Sequence, residues 1–255
     1  MPASFDLTGR VAVVTGAARG LGAGIAVALA AAGADIVAVD RDDPGETLAR
    51  CREQGVRAYP LLRDLAFLDA IGAEALLETA RELAGATPDI LCHAAGFIRR
   101  APAESTSDDD WSAVVAIHLD TAFALSRAFG ARWLAEERTG KIILVASMLT
   151  WFGGRHAVAY AAAKSGLGGL TRALAAEWAG RGINVNALAP GWFETDLTAA
   201  LRADPDRETA IRTRIPAGRW GRPDDLAGAT VFLASPASDY IHGVVLPVDG
   251  GYRIG

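Results

Sequence analysis

Arg10-Val11-Ala12-Val13-Val14-Thr15-Gly16, continuing into Ala17-Ala18-Arg19-Gly20-Leu21-Gly22, is the stretch that decides how this chain folds. Residues 10–16 form an apolar run of the length of a strand buried on both faces. A helical run, Gly20 to Ala32, follows. The turn between them carries Gly16, Gly20 and Gly22. Glycines there let the chain bend and let backbone N–H groups approach a pyrophosphate at the helix N-terminus. Ala34 to Asp40 reads as a second strand ending in an acid. Strand, glycine turn, helix and acid-terminated strand together form a dinucleotide-binding unit. Asp40 stands where a carboxylate binds the adenosine ribose diol and repels a 2′-phosphate, so NAD is expected ahead of NADP. Arg19 and Arg41 are each able to pair with such a phosphate, which keeps NADP in view.

Outward from this unit the same rhythm continues. Pro44 and Gly45 open a helix to about Gln54, and residues 55–60 form a short third strand. Residues 67–84 are helical and Pro88 to His93 a fourth strand. Ser107-Asp108-Asp109-Asp110 is a helix N-cap with negative charge in its first turn, and two helices carry the chain to about Glu137. Ile142 to Ala146 and Gly182 to Leu188 are the fifth and sixth strands, joined by an Ala-rich helix. Residues 192–222 read as a polar, irregular substrate loop, Pro223 opens a helix, and Gly243 to Val248 is the last strand. Strands alternating with helices predict an α/β Rossmann fold: a doubly wound, parallel, seven-stranded sheet with helices on both faces. No linker, repeat or shift of composition divides it, so residues 1–255 are expected to form one domain.

Composition narrows the function. A net charge of −5 and a pI near 5.4 exclude a nucleic-acid footprint. Cys51 and Cys92 are too few for a disulfide framework and have no metal-ligand spacing, so no metal is expected. Residues 1–10 lack a basic segment followed by an apolar run, and the apolar stretch Leu21 to Ala34 is too short to span a bilayer. A cytoplasmic protein without a membrane partner is expected.

The chemistry is expected between Ser147 and Lys164. Ser147 follows the fifth strand, and Tyr160 and Lys164 are four apart, hence on one face of a helix. A phenol titrates near ~10, and a positive charge beside it favours the phenolate, turning Tyr160 into a usable general acid/base. The chain has only two lysines, Lys141 and Lys164, amid many arginines. An ammonium at 164 is able to bind a sugar hydroxyl and pass protons, which a guanidinium does poorly. Asp64, after the third strand, is placed either to take an adenine amino group or to cap a helix.

Over essentially its whole length the chain resembles the short-chain dehydrogenases/reductases. The motifs that carry the resemblance are Thr15-Gly16-x-x-x-Gly20-x-Gly22, Asp64-Leu65, Ala95-Gly96, Ser147, Tyr160-x-x-x-Lys164 and Pro190-Gly191. The resemblance implies an NAD(P)-dependent alcohol–ketone oxidoreductase that assembles as a homotetramer. It implies that Leu21, Leu65, Ala95, Gly96, Pro190, Gly191 and Phe193 line the cofactor site and that Thr195 holds the carboxamide. It assigns Ser147 to the reacting oxygen, Tyr160 to proton transfer and Lys164 to the nicotinamide ribose. Phe97-Ile98-Arg99-Arg100, Ala146-Ser147-Met148-Leu149 and residues 215–221 are similar to the family's gluconate and deoxy-gluconate dehydrogenases. A sugar-acid substrate is then implied, with Arg99, Arg100, Arg155 or His156 available for its carboxylate. Two segments depart from the pattern. His93-Ala94 stands where the family usually has Asn-Asn, and His118 stands at the place of its fourth catalytic residue, an Asn that bends its helix and holds a water. An imidazole also accepts and donates but titrates near neutrality. The alternatives are dehydrogenation of another polyol and a dinucleotide-binding sensor with little turnover.

Overall fold

In the computed structural model, which describes residues 4–255, seven strands form one parallel sheet in the order β3-β2-β1-β4-β5-β6-β7. The strands are β1 (Val11–Thr15), β2 (Asp35–Asp40), β3 (Ala58–Leu62), β4 (Ile90–His93), β5 (Gly140–Val145), β6 (Ile183–Pro190) and β7 (Val245–Val248). Residues 1–3, part of the segment read for a leader, lie outside the described residues. The fold is the single doubly wound domain that the alternation of elements predicts.

All five residues of β1 are buried because helices cover both faces of the sheet. Its side chains divide by parity. Val11 and Val13 enter the core under α3 (Ala70–Ala84), α5 (Thr121–Ala135) and α6 (Val158–Trp178). Ala12 and Val14 enter the core under α1 (Gly20–Ala31), α2 (Gly45–Arg52) and α9 (Ala227–Ala234). From β1 the chain winds outward to β2 and β3, then returns to set β4 on the other side. That reversal leaves a crevice at the carboxyl ends of β1 and β4, where doubly wound sheets bind ligands.

Four elements differ from the sequence reading. β3 begins at Ala58 because Gly55 turns the chain at φ +83°. It carries Pro60 without loss because it is an edge strand, bonded only to β2. α3 begins at Ala70, capped by Asp69, whose side chain accepts from Gly72 N–H at 2.8 Å. α4 (Asp108–Val115) and α5 form one run, joined by a widened π-turn over Ala116–Asp120. Merged in this way, Asp108–Ala135 is the one helix among the described residues long and apolar enough to cross a membrane. With 67% of its apolar window buried, it is a core helix here. Finally, residues 192–222 contain α7 (Ala199–Arg202) and α8 (Pro205–Arg212), the latter capped by Asp204.

Candidate active site

The glycine turn packs against the end of β4 with no room to spare. A Cβ on Gly16, which sits at φ +69°, would lie 2.7 Å from the Ala95 backbone. A Cβ on Gly22 would lie 2.0 Å from the Gly16 carbonyl oxygen. No side chain caps the N-terminus of α1 and no acid occupies its first turn. Its free N–H groups and their dipole therefore suit a phosphate, and the turn around them is a cradle that any larger residue would fill. The residues present fit a dinucleotide.

At the ribose end, Asp40 accepts from Ala18 N–H at 2.9 Å and Asp42 N–H at 3.1 Å, which holds its carboxylate at the turn. Arg19 and Arg41 both lean on Asp42, at 3.1 and 3.8 Å. Asp64 accepts from Ala66 N–H at 2.9 Å, so it closes its own turn and does not cap α3. Leu65 is buried, and its carbonyl accepts from Thr121 Oγ1 at 3.0 Å. Pro190 ends β6, and Gly191 N–H donates to the Val248 carbonyl at 2.9 Å. Phe193 is buried and bridges to Gly221. The Thr195 methyl would lie 3.8 Å from a Cβ on Gly20, so the loop after β6 leans over the cofactor turn.

The proton-transfer candidates gather at the end of β5. Ser147 accepts from Leu149 N–H at 3.1 Å, which starts a short helical turn and leaves the hydroxyl proton for the Tyr160 side. Tyr160 and Lys164 lie in the first two turns of α6, and the Lys164 ammonium stands 5.5 Å from the Tyr160 ring centre. Lys164 is only 4% exposed and donates to the Val145 carbonyl. Burial pushes its pKa down to about 7. Burial likewise pushes the Tyr160 phenol up, against the smaller downward pulls of a hydrogen bond with Ser147 and the charge of Arg100. The phenol is therefore raised where the spacing alone predicted it lowered, because desolvation of the phenolate outweighs the nearby charge.

His118 lies in the π-turn, 3% exposed. Its Nε2 is 2.8 Å from the Phe97 carbonyl. A carbonyl only accepts, so Nε2 carries the proton and Nδ1 is a buried acceptor with no partner. The ring stands edge-on to Tyr160, with centres 4.9 Å apart. A Cβ on Gly96 would lie 2.0 Å from the imidazole, so Gly96 makes the space that His118 fills. Burial, with the charge of Lys164, holds the imidazole well below the usual histidine range. Burial thus moves it away from the near-neutral titration expected of it.

The four carboxylate candidates separate. Arg99 is bonded to Asp110 at 2.7 Å and stacked on Phe97. Arg155 and His156 line an open groove of about 660 Å³ on another face of α6, with Trp151, Ala161 and Ser165. Arg100 has no ion pair among the described residues, and its charge is felt at Tyr160. Ala101 N–H, next to it, donates to the His156 carbonyl at 3.1 Å and so anchors the loop that carries Arg100. Sequence reasoning gave no role to His93 or Thr15, which bond each other at 2.8 Å. The signal was present in the departures from the family pattern at 93 and 118, taken together.

A dinucleotide crevice with proton-carrying side chains at its mouth is what an NAD(P)-dependent oxidoreductase of alcohols and ketones requires. Comparison with known proteins points the same way. A family model described as enoyl-(acyl carrier protein) reductase matches residues 16–253. A 2-dehydro-3-deoxy-D-gluconate 5-dehydrogenase of Escherichia coli K12 is 47% identical over 249 residues, 98% of this chain and 97% of that protein. The gluconate 5-dehydrogenase of Burkholderia cenocepacia, solved with NADP and tartrate, superposes with a TM-score of 0.91 at 38% identity, covering 98% of each chain. A Beutenbergia cavernae protein, provisionally assigned as an NAD(P)-dependent gluconate 5-dehydrogenase and solved with NADP at low occupancy, superposes with a TM-score of 0.92 at 49% identity. The match covers 98% of this chain and 99% of that one. The chain belongs to the short-chain dehydrogenase/reductase family, a family of NAD(P)-dependent oxidoreductases.

Proposed function

We propose that this protein interconverts a secondary alcohol and a ketone on a sugar acid of the gluconate or deoxy-gluconate class, with Tyr160 as general acid/base. The observation that carries the reading is the convergence of Ser147, Tyr160 and Lys164 at the end of β5 beside the glycine cradle of Gly16 and Gly22. The full-length likeness to sugar-acid dehydrogenases supports the substrate class. Bound in the cradle, a nicotinamide dinucleotide supplies the hydride acceptor for the carbinol carbon. Gly16, Gly20, Leu21 and Gly22 hold its phosphates, Lys164 its nicotinamide ribose, and Thr195 its carboxamide. Asp40 holds the adenosine ribose, with Asp64, Leu65, Ala95, Gly96, Pro190, Gly191 and Phe193 along the crevice.

Substrate oxygen lies between the Ser147 hydroxyl and the Tyr160 phenol. Tyr160 takes the hydroxyl proton in oxidation and returns it in reduction. Ser147 donates to the oxygen where alkoxide charge develops, a fixed dipole that needs no reorganisation at that moment. The unpartnered Nδ1 of His118 is an acceptor for a water in the proton path behind Lys164. Arg100 holds the substrate carboxylate, since Arg99 is occupied by Asp110. NAD is preferred because Asp40 and Asp42 make the ribose end acidic and Asp42 already occupies Arg19 and Arg41. The NADP bound in the solved relatives supports a second reading, in which those two arginines leave Asp42 for a 2′-phosphate. The enzyme works in the cytoplasm as a homotetramer. Exposed Trp111 and Phe123 and the open edge of β7 are surfaces that further copies would cover.

The test is a screen of sugar acids and polyols with NAD and NADP, followed at the nicotinamide absorbance and repeated with Tyr160→Phe. On the best substrate the variant loses on the order of a hundredfold or more in turnover and keeps its dinucleotide affinity. Parental turnover in Tyr160→Phe would remove the catalytic assignment. A parent that binds dinucleotide but turns over nothing is a sensor.

A further inference from the structure

In the π-turn, Thr121 N–H reaches back to the Ala116 carbonyl. In an α-helix the same donor would take the Ile117 carbonyl. That carbonyl, on a buried residue, instead faces His93 Nε2 at 3.0 Å. A carbonyl only accepts, so His93 carries its proton on Nε2 and presents Nδ1 as an acceptor. Thr15 Oγ1 lies 2.8 Å from that Nδ1 and also accepts from Ala94 and Ala95 N–H, at 3.2 Å each. Its one hydroxyl proton therefore goes to His93. With both ring nitrogens engaged, the imidazole fastens the π-turn to the ends of β1 and β4. The residue after Ile117 is His118, whose own ring reaches the Phe97 carbonyl and stands against Tyr160. Burial holds both imidazoles neutral, so each keeps the single proton that this bonding pattern needs.

We propose that His93 is a positioning residue of the active site: by donating to the Ile117 carbonyl it holds the π-turn open and keeps His118 against Tyr160, so that positions 93 and 118 act on turnover as one unit. This rests on the reading of Tyr160 as the acid/base. The departures from the family pattern at positions 93 and 118 are then one change made in two places.

The experiment compares variants of the full chain for kcat, KM and dinucleotide Kd on the sugar acid that the parent turns over fastest. His93→Leu keeps the volume and removes the N–H. It is expected to lower kcat by ten- to a hundredfold, on the order expected when a reacting group is displaced by about 1 Å. KM and dinucleotide Kd stay near the parent's. His93→Gln places an amide nitrogen where Nε2 stands and keeps kcat within about threefold of the parent. His118→Ala lowers kcat in the parent and adds little in His93→Leu, because the two residues act through one arrangement. Parental kcat in His93→Leu, equal losses in Leu and Gln, or losses that multiply across the two positions would each overturn the proposal. If His93→Leu does not fold, His93→Asn replaces it, since the shorter amide meets Thr15 and falls short of Ile117. Imidazole NMR of the unliganded protein reads the same coupling without turnover. The His118 ring resonances move in His93→Leu and stay in place in His93→Gln. Unmoved resonances in both refute the coupling, whereas parental turnover in Tyr160→Phe refutes only the acid/base reading.

Discussion

Lys164→Met is expected to stabilise the unliganded protein while it destroys turnover. Lys164 is 4% exposed and donates to the Val145 carbonyl, with no carboxylate bonded to it. Its pKa falls from the usual 10.5 to about 7, and desolvation is the cause. At ~1.36 kcal/mol per pH unit that displacement costs the folded state at most about 5 kcal/mol. The cost is complete below about pH 7, where folded and unfolded chains both carry the proton. Between about pH 7 and 10.5 the folded chain has released it and the unfolded chain has not, so parental stability rises with pH across that window. Methionine removes the charge, but it leaves the Val145 carbonyl without its donor, a loss of about 1–3 kcal/mol. The net gain near pH 6.5 is about 2–4 kcal/mol, or roughly 4–8 °C in Tm for a chain of this length. Near pH 9.5 the remaining penalty on lysine is only about 1 kcal/mol, so the advantage vanishes or reverses. Calorimetry of both proteins without cofactor, at one protomer concentration and across this range, measures the difference. A variant that melts below the parent near neutrality, or a difference that does not change with pH, would refute the reasoning.

Asp40→Ser removes a carboxylate that meets the ribose diol. It should cut the NAD-over-NADP affinity ratio by about ten- to a hundredfold, read from Kd values measured side by side. Gly22→Ala forces a methyl to within 2.0 Å of the Gly16 carbonyl, a backbone atom that cannot rotate away. Overpacking of this kind costs about 1–3 kcal/mol, so Tm should fall and dinucleotide Kd rise more than tenfold; an unchanged Kd would mean that the turn is not the phosphate cradle. Because the His118 imidazole is held well below the usual range, turnover between about pH 6 and 8 should show no limb that disappears in His118→Asn. A parental limb near neutrality that the variant lacks would place the imidazole in water rather than in the core.

The apolar runs, the glycine turn and the acid at position 40 were enough for the sheet, its parallel strands and the crevice, because each is a local signal with its own period or backbone demand. The Tyr160 to Lys164 spacing was equally legible, since four residues on a helix fix a common face. Tertiary structure alone decided the electrostatics. Spacing suggested a lysine that lowers a phenol, while burial lowers the lysine and raises the phenol, because desolvation depends on what surrounds a group. It also decided which arginine is free: Arg99 and Arg100 are adjacent in sequence, yet Asp110 takes only the first. The resemblance implied a bend at position 118, but periodicity in a run of helix formers did not show the π-turn, in which the Ile117 carbonyl meets a histidine from another strand. Sequence determined which residues share an element. Folding decided which side chains lose water and which find partners, because those are properties of contacts between residues far apart in the chain.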